Sequence, residues 1–251
     1  MSIQVIDRLS RLLEVIAQYD RPVSLKILSA ESELHTSTTF RILTSLIENG
    51  FVEREGEGYR LGTKLIALGH RAAGQVDLKE TAEPIMAALC DELNETVNLT
   101  QREGDEVIYI GRKIPNRMMR VEQVIGSRAP LHVTAVGKLM LGSAGAAAIR
   151  AYAESNGLKR MTNNTITDVE ALIAHCTAAV QAGIAFDDEE AEIGVACVGV
   201  LLLNEHRQPL AGLSISAPAE RRQAFWGEKL LAARDQLAVR MGFASPEAEP
   251  Q

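Results

Sequence analysis

The chain has 251 residues, of which 46% are hydrophobic and 24% are charged, and its net charge is −7. These values are ordinary for a globular protein of two domains and exclude a low-complexity chain. The longest apolar run, Gly194 to Leu203, is too short to cross a bilayer, and the first residues lack a signal-peptide core. Three cysteines without paired spacing argue against disulfides and a zinc site. We expect a cytoplasmic protein with no metal, no cofactor and no membrane partner.

The acidic charge is unevenly distributed along the chain. Residues 1–75 contain nine Lys and Arg and nine Asp and Glu residues, so the negative excess lies entirely after residue 75. A neutral N-terminal region has no strong nonspecific attraction to nucleic acid. If this region binds DNA, tight binding requires several copies on one DNA molecule.

The stretch from His35 to Gly50 has the pattern of a DNA-recognition helix. Its apolar residues repeat at helical spacing and should face a core: Phe40, Leu43, Leu46 and Ile47. Thr38, Arg41, Ser45 and Glu48 lie on the opposite face. Thr36 and Ser37 are predicted to cap the first turn, and Asn49-Gly50 to end the helix. Taken alone, the pattern fits a capped amphipathic helix without a ligand about equally well.

The neighbouring segments complete a helix-turn-helix. Ser2 is predicted to cap a first helix and Ser24 a second, with the turn into the third helix at Glu33-Leu34. Two short strands joined by a Gly-containing loop then form a wing. These elements predict a winged helix-turn-helix domain over residues 1–62, followed by a helical linker over residues 63–83.

The rest of the chain alternates between strands and helices. Strands are predicted over residues 96–101, 107–113, 118–125, 184–187, 195–204 and 209–217. Helices are predicted over residues 81–93, 135–153, 168–183 and 220–241. This order indicates a mainly antiparallel sheet flanked by helices, an α+β arrangement within the broad α/β class. We expect the second domain to cover residues 84–243, with a disordered tail over residues 244–251.

Four ordered motifs resemble the IclR family of transcriptional regulators over nearly the whole chain. They are STTFRILTSLIENGFVE with GYRLG, PLHVTAVGK, GIAFDDEEAEIGVACVGVLLL and PLAGLSISAP. The resemblance implies a GAF-like second domain that binds a small effector and mediates dimer or tetramer assembly, and a first domain that binds a palindromic operator. One position departs from the family pattern. Glu33 stands where Gly is usual, so a left-handed turn at this residue would be strained.

We expect DNA contacts from the third helix and the wing. Thr38, Arg41 and Ser45 are predicted to face the bases, whereas Ser37 and Arg60 are predicted to contact phosphates. The complete predicted set is Thr36, Ser37, Thr38, Thr39, Arg41, Ser45 and Arg60. Because a two-fold dimer would place two such helices about one DNA turn apart, the operator should be an inverted repeat.

The resemblance also implies an effector site in the second domain. Its nine positions are Met118, Val121, Ala135, Val136, Asp187, Val195, Cys197, Ser214 and Ser216. Ala135 and Val136 would supply backbone N–H groups, while Met118, Val121 and Val195 would form an apolar wall. Because the set contains no Arg or Lys, we expect a small organic acid, such as a short 2-oxo acid or a compact aromatic acid, held by hydrogen bonds.

The alternative is a small-molecule hydrolase or metabolic enzyme with an accessory winged-helix domain. Gly137-Lys138 lacks the flanking residues of a phosphate loop, and the chain has no Gly-x-Ser-x-Gly elbow. His132, Asp187 and Ser214 would form a triad only by assumption. The acidic run from Asp187 to Glu190 is more typical of a solvated loop than of a metal site, with one Asp able to face the pocket. We therefore predict an effector-responsive regulator, a repressor in preference to an activator, and no enzyme.

Overall fold

The computed structural model describes residues 3–73 and 77–243. The chain folds into two compact units, the first ending at residue 75 and the second beginning at residue 76. The predicted linker over residues 63–83 therefore spans the end of one unit and the start of the other. The predicted tail over residues 244–251 lies outside the described residues.

The first unit combines helices with a small antiparallel sheet. Its elements are α1 (Gln4–Ala17), β1 (Val23–Ser24), α2 (Leu25–Glu31), α3 (Thr36–Glu48), β2 (Val52–Glu55), β3 (Gly58–Leu61) and α4 (Lys64–Ala73). The strand order in the sheet is β1-β3-β2. The predicted third helix and the wing are both confirmed. The strand β1, which pairs with the wing, was not predicted.

The buried face of α3 differs from the predicted one by a single position. Leu43 and Leu46 are buried as expected, but Phe40 is 49% exposed and Thr39 is completely buried. Residues 39, 43 and 46 are spaced by four and three, so they form one continuous stripe on the helix. Phe40, one residue further along the helix, is rotated by about 100° away from that stripe.

The helix ends test the predicted caps. The Ser24 hydroxyl accepts a hydrogen bond from the backbone N–H of Ile27 at 3.4 Å, as predicted. Ser2 lies outside the described residues, and α1 begins after Ile3 without a side-chain cap. The prediction for α3 was wrong, because its N-cap is His35, and Thr36 and Ser37 already belong to the first helical turn. At the other end the backbone turns left-handed at Gly50, as predicted.

The second unit is a six-stranded sheet between two layers of helices. Its elements are α5 (Leu78–Leu93), β4 (Thr96–Glu103), β5 (Glu106–Lys113), β6 (Arg128–Pro130), α6 (Ala135–Ala144), α7 (Ala146–Asn156), α8 (Val169–Ala182), β7 (Ala185–Asp188), β8 (Val195–Leu203), β9 (Pro209–Pro218) and α9 (Trp226–Arg240). The strand order is β6-β5-β4-β9-β8-β7, and every neighbouring pair is antiparallel. The predicted antiparallel sheet flanked by helices is confirmed.

Alternation along β9 shows how the two layers share the sheet. Residues 211, 213, 215 and 217 pack in one core with α5 and α9. The even-numbered residues of the same strand therefore face the other layer, in which α6, α7 and α8 pack together. This alternation directs Ser214 and Ser216 toward α6.

Residues 114–127, which we call the strap, depart most from the predicted elements. A strand was predicted over residues 118–125, but the strap contains no helix or strand, and β6 follows it where a loop was predicted. Side chains of the sheet and its surroundings hold the strap by its backbone. Thr96 donates to the carbonyl of Val121, Arg112 to that of Gln123, and Arg221 to that of Met119. Thr96 and Arg221 lie 25 and 102 residues from the carbonyls that they bind, so local sequence held no sign of these two hydrogen bonds.

The remaining helices largely follow the predicted pattern. Asp168 caps α8 by accepting a hydrogen bond from the Ala171 N–H at 2.8 Å. Closely packed helices were predicted over residues 135–153, and the structure has two of them, α6 and α7, separated at Gly145, where φ is +85°. The last helix begins at Trp226 and not at Glu220, after a short 3-10 turn. None of the described helices combines the length and apolarity that crossing a bilayer requires.

Candidate functional sites

Three predicted DNA contacts border one groove in the first unit. Thr38, Arg41 and Ser45 line a groove of about 350 Å³ between α1 and α3. Arg41 and Ser45 are exposed, and Thr38 is partly exposed. Within the described residues, the Arg41 guanidinium makes no ion pair or hydrogen bond. This face of α3 is therefore open to a ligand.

Thr39 does not share this role. Its side chain is completely buried, and its hydroxyl donates to the His35 carbonyl at 3.2 Å and lies 3.5 Å from the Ser29 hydroxyl of α2. Thr39 therefore joins α2 to α3 and cannot reach DNA, which corrects the predicted set. Thr36 and Ser37 are exposed at the first turn, and Thr36 accepts a hydrogen bond from Ser29 at 3.3 Å.

The wing places Arg60 between two carboxylates. Arg60 lies opposite Glu53 in the β2–β3 register and contacts Glu53 at 3.0 Å and Glu55 at 2.8 Å. A backbone hydrogen bond from Thr63, together with Arg60, lowers the pKa of Glu53. A phosphate would have to compete with both carboxylates for Arg60. Arg54, which is also exposed, makes no ion pair within the described residues.

The turn between α2 and α3 is left-handed, as the family pattern suggested. Glu33 has a φ of +56°, a conformation that side-chain-bearing residues adopt at a cost. Its exposed carboxylate lies 3.4 Å from the guanidinium of Arg11, which also donates to the Ser32 carbonyl at 3.2 Å. Arg11 of α1 therefore holds the turn in place.

Strand register builds a polar row in the second unit. Asp187 lies opposite Cys197, Cys197 opposite Ser216, and Ser216 opposite Thr96, across β7, β8, β9 and β4. Ser214 lies two residues before Ser216 and therefore faces the same way. The Cys197 thiol and the Ser216 hydroxyl are 3.1 Å apart. These groups all lie on the side of the sheet that α6 covers.

Asp187, Cys197, Ser214 and Ser216 of this row line a partly open cavity of about 220 Å³. Every predicted effector position except Met118 contributes to its wall: Val121, Ala135, Val136, Asp187, Val195, Cys197, Ser214 and Ser216. The sequence did not point to the other wall residues, which are Tyr109, Gln123, Ser127, Arg128, Ala129, Thr134, Ala191 and Glu192. Cavities for drug-sized ligands measure roughly 300–1,000 Å³, so this one suits a smaller molecule.

Met118 is the exception among the predicted effector positions. It lies on the strap, its side chain is fully exposed, and it does not line the cavity. The resemblance assigned Met118 to the apolar wall, within a segment predicted to be a strand of the sheet. The strap forms no strand, so sheet pairing does not hold the backbone of Met118 beside the cavity.

The start of α6 offers hydrogen-bond donors to the cavity. Thr134 caps the helix by accepting from the Gly137 N–H at 3.1 Å. The N–H groups of Ala135 and Val136 precede the first intrahelical hydrogen bond, and neither has an acceptor within the described residues. Free N–H groups at a helix start favour an anion.

Asp187 is the buried acidic group of the cavity, whereas Glu192 in the same wall is exposed. Asp187 is 2% exposed, and its Oδ1 accepts from the N–H groups of Glu190 at 2.8 Å and Ala191 at 3.4 Å. Burial raises its pKa from 3.8 to about 6, against the lowering effect of these hydrogen bonds. Burial also raises the pKa of the Tyr109 phenol and the Cys197 thiol, so both keep their protons. Tyr109 and Cys197 are therefore neutral donors, whereas Asp187 is protonated mainly below about pH 6.

Two other wall residues limit the chemistry further. The Arg128 guanidinium contacts Glu103 at 2.6 Å and Glu106 at 3.7 Å, so its charge is already balanced. The Gln123 side-chain oxygen is buried and has no hydrogen-bond partner within the described residues. An unsatisfied buried acceptor is costly, which makes Gln123 a natural contact for a polar ligand group.

The acidic run from Asp187 to Glu190 begins within β7 and is only partly exposed, which corrects the prediction of a solvated loop. Asp188 is exposed and Glu189 is partly exposed, whereas Asp187 and Glu190 are buried. Glu190 forms an ion pair with Lys138, whose side chain is completely buried on α6. The Thr165 hydroxyl donates to the Glu190 carbonyl at 2.7 Å. This pair holds the loop beside the cavity against α6.

The structure gives no support to the enzyme alternative. The His132 ring nitrogens lie 3.0 Å from the Tyr152 hydroxyl and 3.1 Å from the Lys159 carbonyl, so both are already engaged. Burial lowers the His132 pKa. No triad with Asp187 and Ser214 is formed. Within the described parts of the chain, no group of three His, Cys, Asp or Glu side chains is arranged to hold a metal ion.

Both units match known protein families. Residues 5–56 match the IclR helix-turn-helix domain. Residues 70–239 match the C-terminal domain of the bacterial transcriptional regulator IclR. The two matches together span most of the chain, and each lies mainly within one structural unit.

Individual proteins are similar over most of their length. The chain is 30% identical to the transcriptional repressor IclR of Escherichia coli over 223 residues, covering 87% of this chain and 81% of the repressor. The repressor BlcR of Agrobacterium tumefaciens shares the fold with a TM-score of 0.83 at 24% identity, covering 97% and 99% of the two chains. An IclR homolog from Microbacterium hydrocarbonoxydans, crystallised with 4-hydroxybenzoate, gives a TM-score of 0.62 at 24% identity, covering 95% and 99%.

Sequence and structure therefore agree on two functional parts. One is an exposed helix-turn-helix, and the other is a small cavity with several polar groups in a separate unit. The matching families and relatives are regulators and not enzymes. The chain belongs to the IclR family of bacterial transcriptional regulators, which bind DNA through the first domain and a small-molecule effector through the second.

Proposed function

We propose that the chain is a repressor whose operator binding is controlled by a small carboxylic acid in the cavity of the second unit. The observation that carries this proposal is the cavity itself, where buried hydroxyl groups and the free N–H groups of α6 surround about 220 Å³. The relative from E. coli, which is a repressor, supports the direction of regulation.

The chemistry of the wall favours a monocarboxylate. Ser214, Ser216 and the N–H groups of Ala135 and Val136 can donate to carboxylate oxygens, as can Asp187 when it is protonated. Arg128, the only Lys or Arg among the described wall residues, is already paired with carboxylates. A dicarboxylate or a phosphorylated sugar would bring more charge than these neutral donors can balance. The cavity volume suits a short 2-oxo acid or a single aromatic ring, and 4-hydroxybenzoate bound to the homolog is an acid of this kind.

Regulation would follow from linkage between the two units. An acid that binds one arrangement of the assembled chains more tightly shifts their equilibrium by that difference in affinity. We infer that the chain acts as a homodimer or homotetramer on an inverted-repeat operator, since a neutral first unit requires avidity for tight binding. Light scattering should give a dimer or tetramer, and a monomer at the concentrations that bind DNA would contradict this.

A thermal-shift titration tests the effector assignment. Pyruvate, benzoate and 4-hydroxybenzoate serve as probes, with glucose 6-phosphate as the contrasting anion. At least one acid should raise the melting temperature of the second unit and change DNA binding. The Ser214→Ala/Ser216→Ala variant should lose both effects, because each hydrogen bond to a charged group contributes about 1.5–3 kcal/mol.

Ser143→Ala is the matched control. Ser143 lies on α6 and donates to the Leu139 carbonyl at 2.9 Å, and it does not line the cavity. This variant should respond to the acid like the wild type. Stabilisation by glucose 6-phosphate but by none of the acids would show that the effector assignment is wrong.

A further inference from the structure

The groove between α1 and α3 contains an arginine outside the predicted DNA-binding set. Arg8 of α1 lines the same groove as Arg41 and Ser45 of α3. Val5 and Leu9, on either side of Arg8 along α1, supply apolar surface to it. Any ligand that covers the exposed face of α3 therefore also meets the Arg8 side chain.

The charges of the first unit are arranged so that these two arginines remain free. Arg11 is paired with Glu33, and Arg60 with Glu53 and Glu55. Arg8 and Arg41 make no ion pair or hydrogen bond with any described residue. Although residues 1–75 are neutral as a whole, positive charge is thus available at the groove.

We propose that this groove binds the sugar-phosphate backbone of DNA. Arg8 of α1 contacts a phosphate there, beside Arg41 of α3. A guanidinium matches phosphate oxygens in geometry and charge, and the apolar surface of Val5 and Leu9 suits deoxyribose. Arg8 is partly buried, so part of its side chain is already in contact with the first unit before DNA binds. The proposal rests on α3 being the recognition helix.

The test uses the full chain and two DNA duplexes of about 30 base pairs. One is selected by the wild type from a random-sequence pool, and the other is a scrambled version of it. Dissociation constants are measured by fluorescence anisotropy over a series of KCl concentrations. Arg8→Gln should weaken binding to both duplexes by the same factor, roughly five- to tenfold, and should reduce the salt slope by about one.

Two matched variants separate a phosphate contact from a structural role. Arg8→Lys keeps the charge and should retain most of the affinity and the salt slope. Arg150→Gln makes the same change in the second unit, at an exposed arginine that is already paired with Glu170. It should bind both duplexes with the salt slope of the wild type.

Each contrary result has a distinct meaning. Wild-type affinity and salt slope in folded Arg8→Gln would overturn the proposal. If Arg41→Ala lost binding in the same experiment, the assignment of α3 as the recognition helix would still stand. Weakening of the selected duplex alone, at an unchanged salt slope, would overturn the phosphate assignment. If neither Arg8→Gln nor Arg41→Ala affected binding, the recognition-helix assignment would also be wrong.

Discussion

The two ligand-binding regions are built in opposite ways. In the first unit, the candidate DNA contacts on α3 come from one short stretch of chain, and Arg41 and Ser45 are exposed. In the second unit, the cavity wall runs from Tyr109 to Ser216 and draws on strands, the strap and the start of α6. Asp187 and Ser216 in that wall are almost completely buried.

This difference determines what each region can tolerate. An exposed side chain on a helix can be changed with little effect on folding, so its removal should affect mainly binding. A buried polar group in the cavity must keep its partners, because leaving one unsatisfied destabilises the unit. We therefore expect substitutions beside the cavity to change stability and those on α3 to change DNA affinity.

The largest expected effect is the loss of the buried ion pair beside the cavity. Lys138→Met leaves the Glu190 carboxylate buried without its partner and should lower the free energy of unfolding by about 3–5 kcal/mol. Urea denaturation can be followed by the fluorescence of Trp226, the single tryptophan, which is buried in α9. Arg150→Met, which removes an exposed pair with Glu170, should leave the transition nearly unchanged. Equal changes in the free energy of unfolding for the two variants would show that the buried ion pair contributes no more than the exposed one.

The next effect concerns the pH dependence of the second unit. Folded Asp187 keeps its proton up to about pH 6, whereas an unfolded aspartate loses it near 3.8. The folded state then binds more protons between these values, so the free energy of unfolding should fall as the pH rises through them. Relative to Asp187→Asn, the wild type should lose roughly 2–3 kcal/mol between pH 4 and pH 7.

Asp188→Asn is the control for this pH dependence. Asp188 is adjacent in sequence but exposed, and it pairs with Arg222 at 2.8 Å. Denaturation curves of this variant should follow those of the wild type across the pH series. A wild type whose stability relative to Asp187→Asn did not change with pH would show that Asp187 is not a buried acid of this kind.

A smaller effect is expected on the exposed face of α3. Arg41→Ala should lose about 1–3 kcal/mol of binding to the selected duplex, because a guanidinium at a base edge or phosphate contributes this much. Ser37→Ala should weaken selected and scrambled duplexes alike. Both variants should melt like the wild type. Unchanged affinity in folded Arg41→Ala would remove the main support for the recognition helix.

The smallest expected effect comes from the strained turn before α3. Glu33→Gly should raise the stability of the first unit by about 1 kcal/mol, because glycine adopts the left-handed backbone of this position without strain. Hydrogen-exchange protection of amides within residues 3–73 measures this change. Glu14→Gly, the same substitution inside α1, should lower the protection by a similar amount. Destabilisation by both variants would mean that the turn is not strained.

Several features of the fold could be predicted because they depend on local sequence. The period of apolar residues determined α3 and most of its exposed face, and Gly50 marked its end. The alternation of strands and helices gave the antiparallel sheet, and Asp168 marked the start of α8. Each of these signals lies within about ten residues, the range over which backbone geometry fixes side-chain direction.

The tertiary structure decided which of these surfaces became sites. Packing against Ser29 buried Thr39 and left Phe40 exposed, one position away from the predicted stripe. The strap replaced a predicted strand, since donors from distant segments hold its carbonyls, and Met118 lies outside the cavity. The polar row from Asp187 to Thr96 and the ion pair of Lys138 with Glu190 depend on register between segments far apart in the chain. Periodicity carries no information about such pairings, because they depend on which distant polar groups meet once water is excluded.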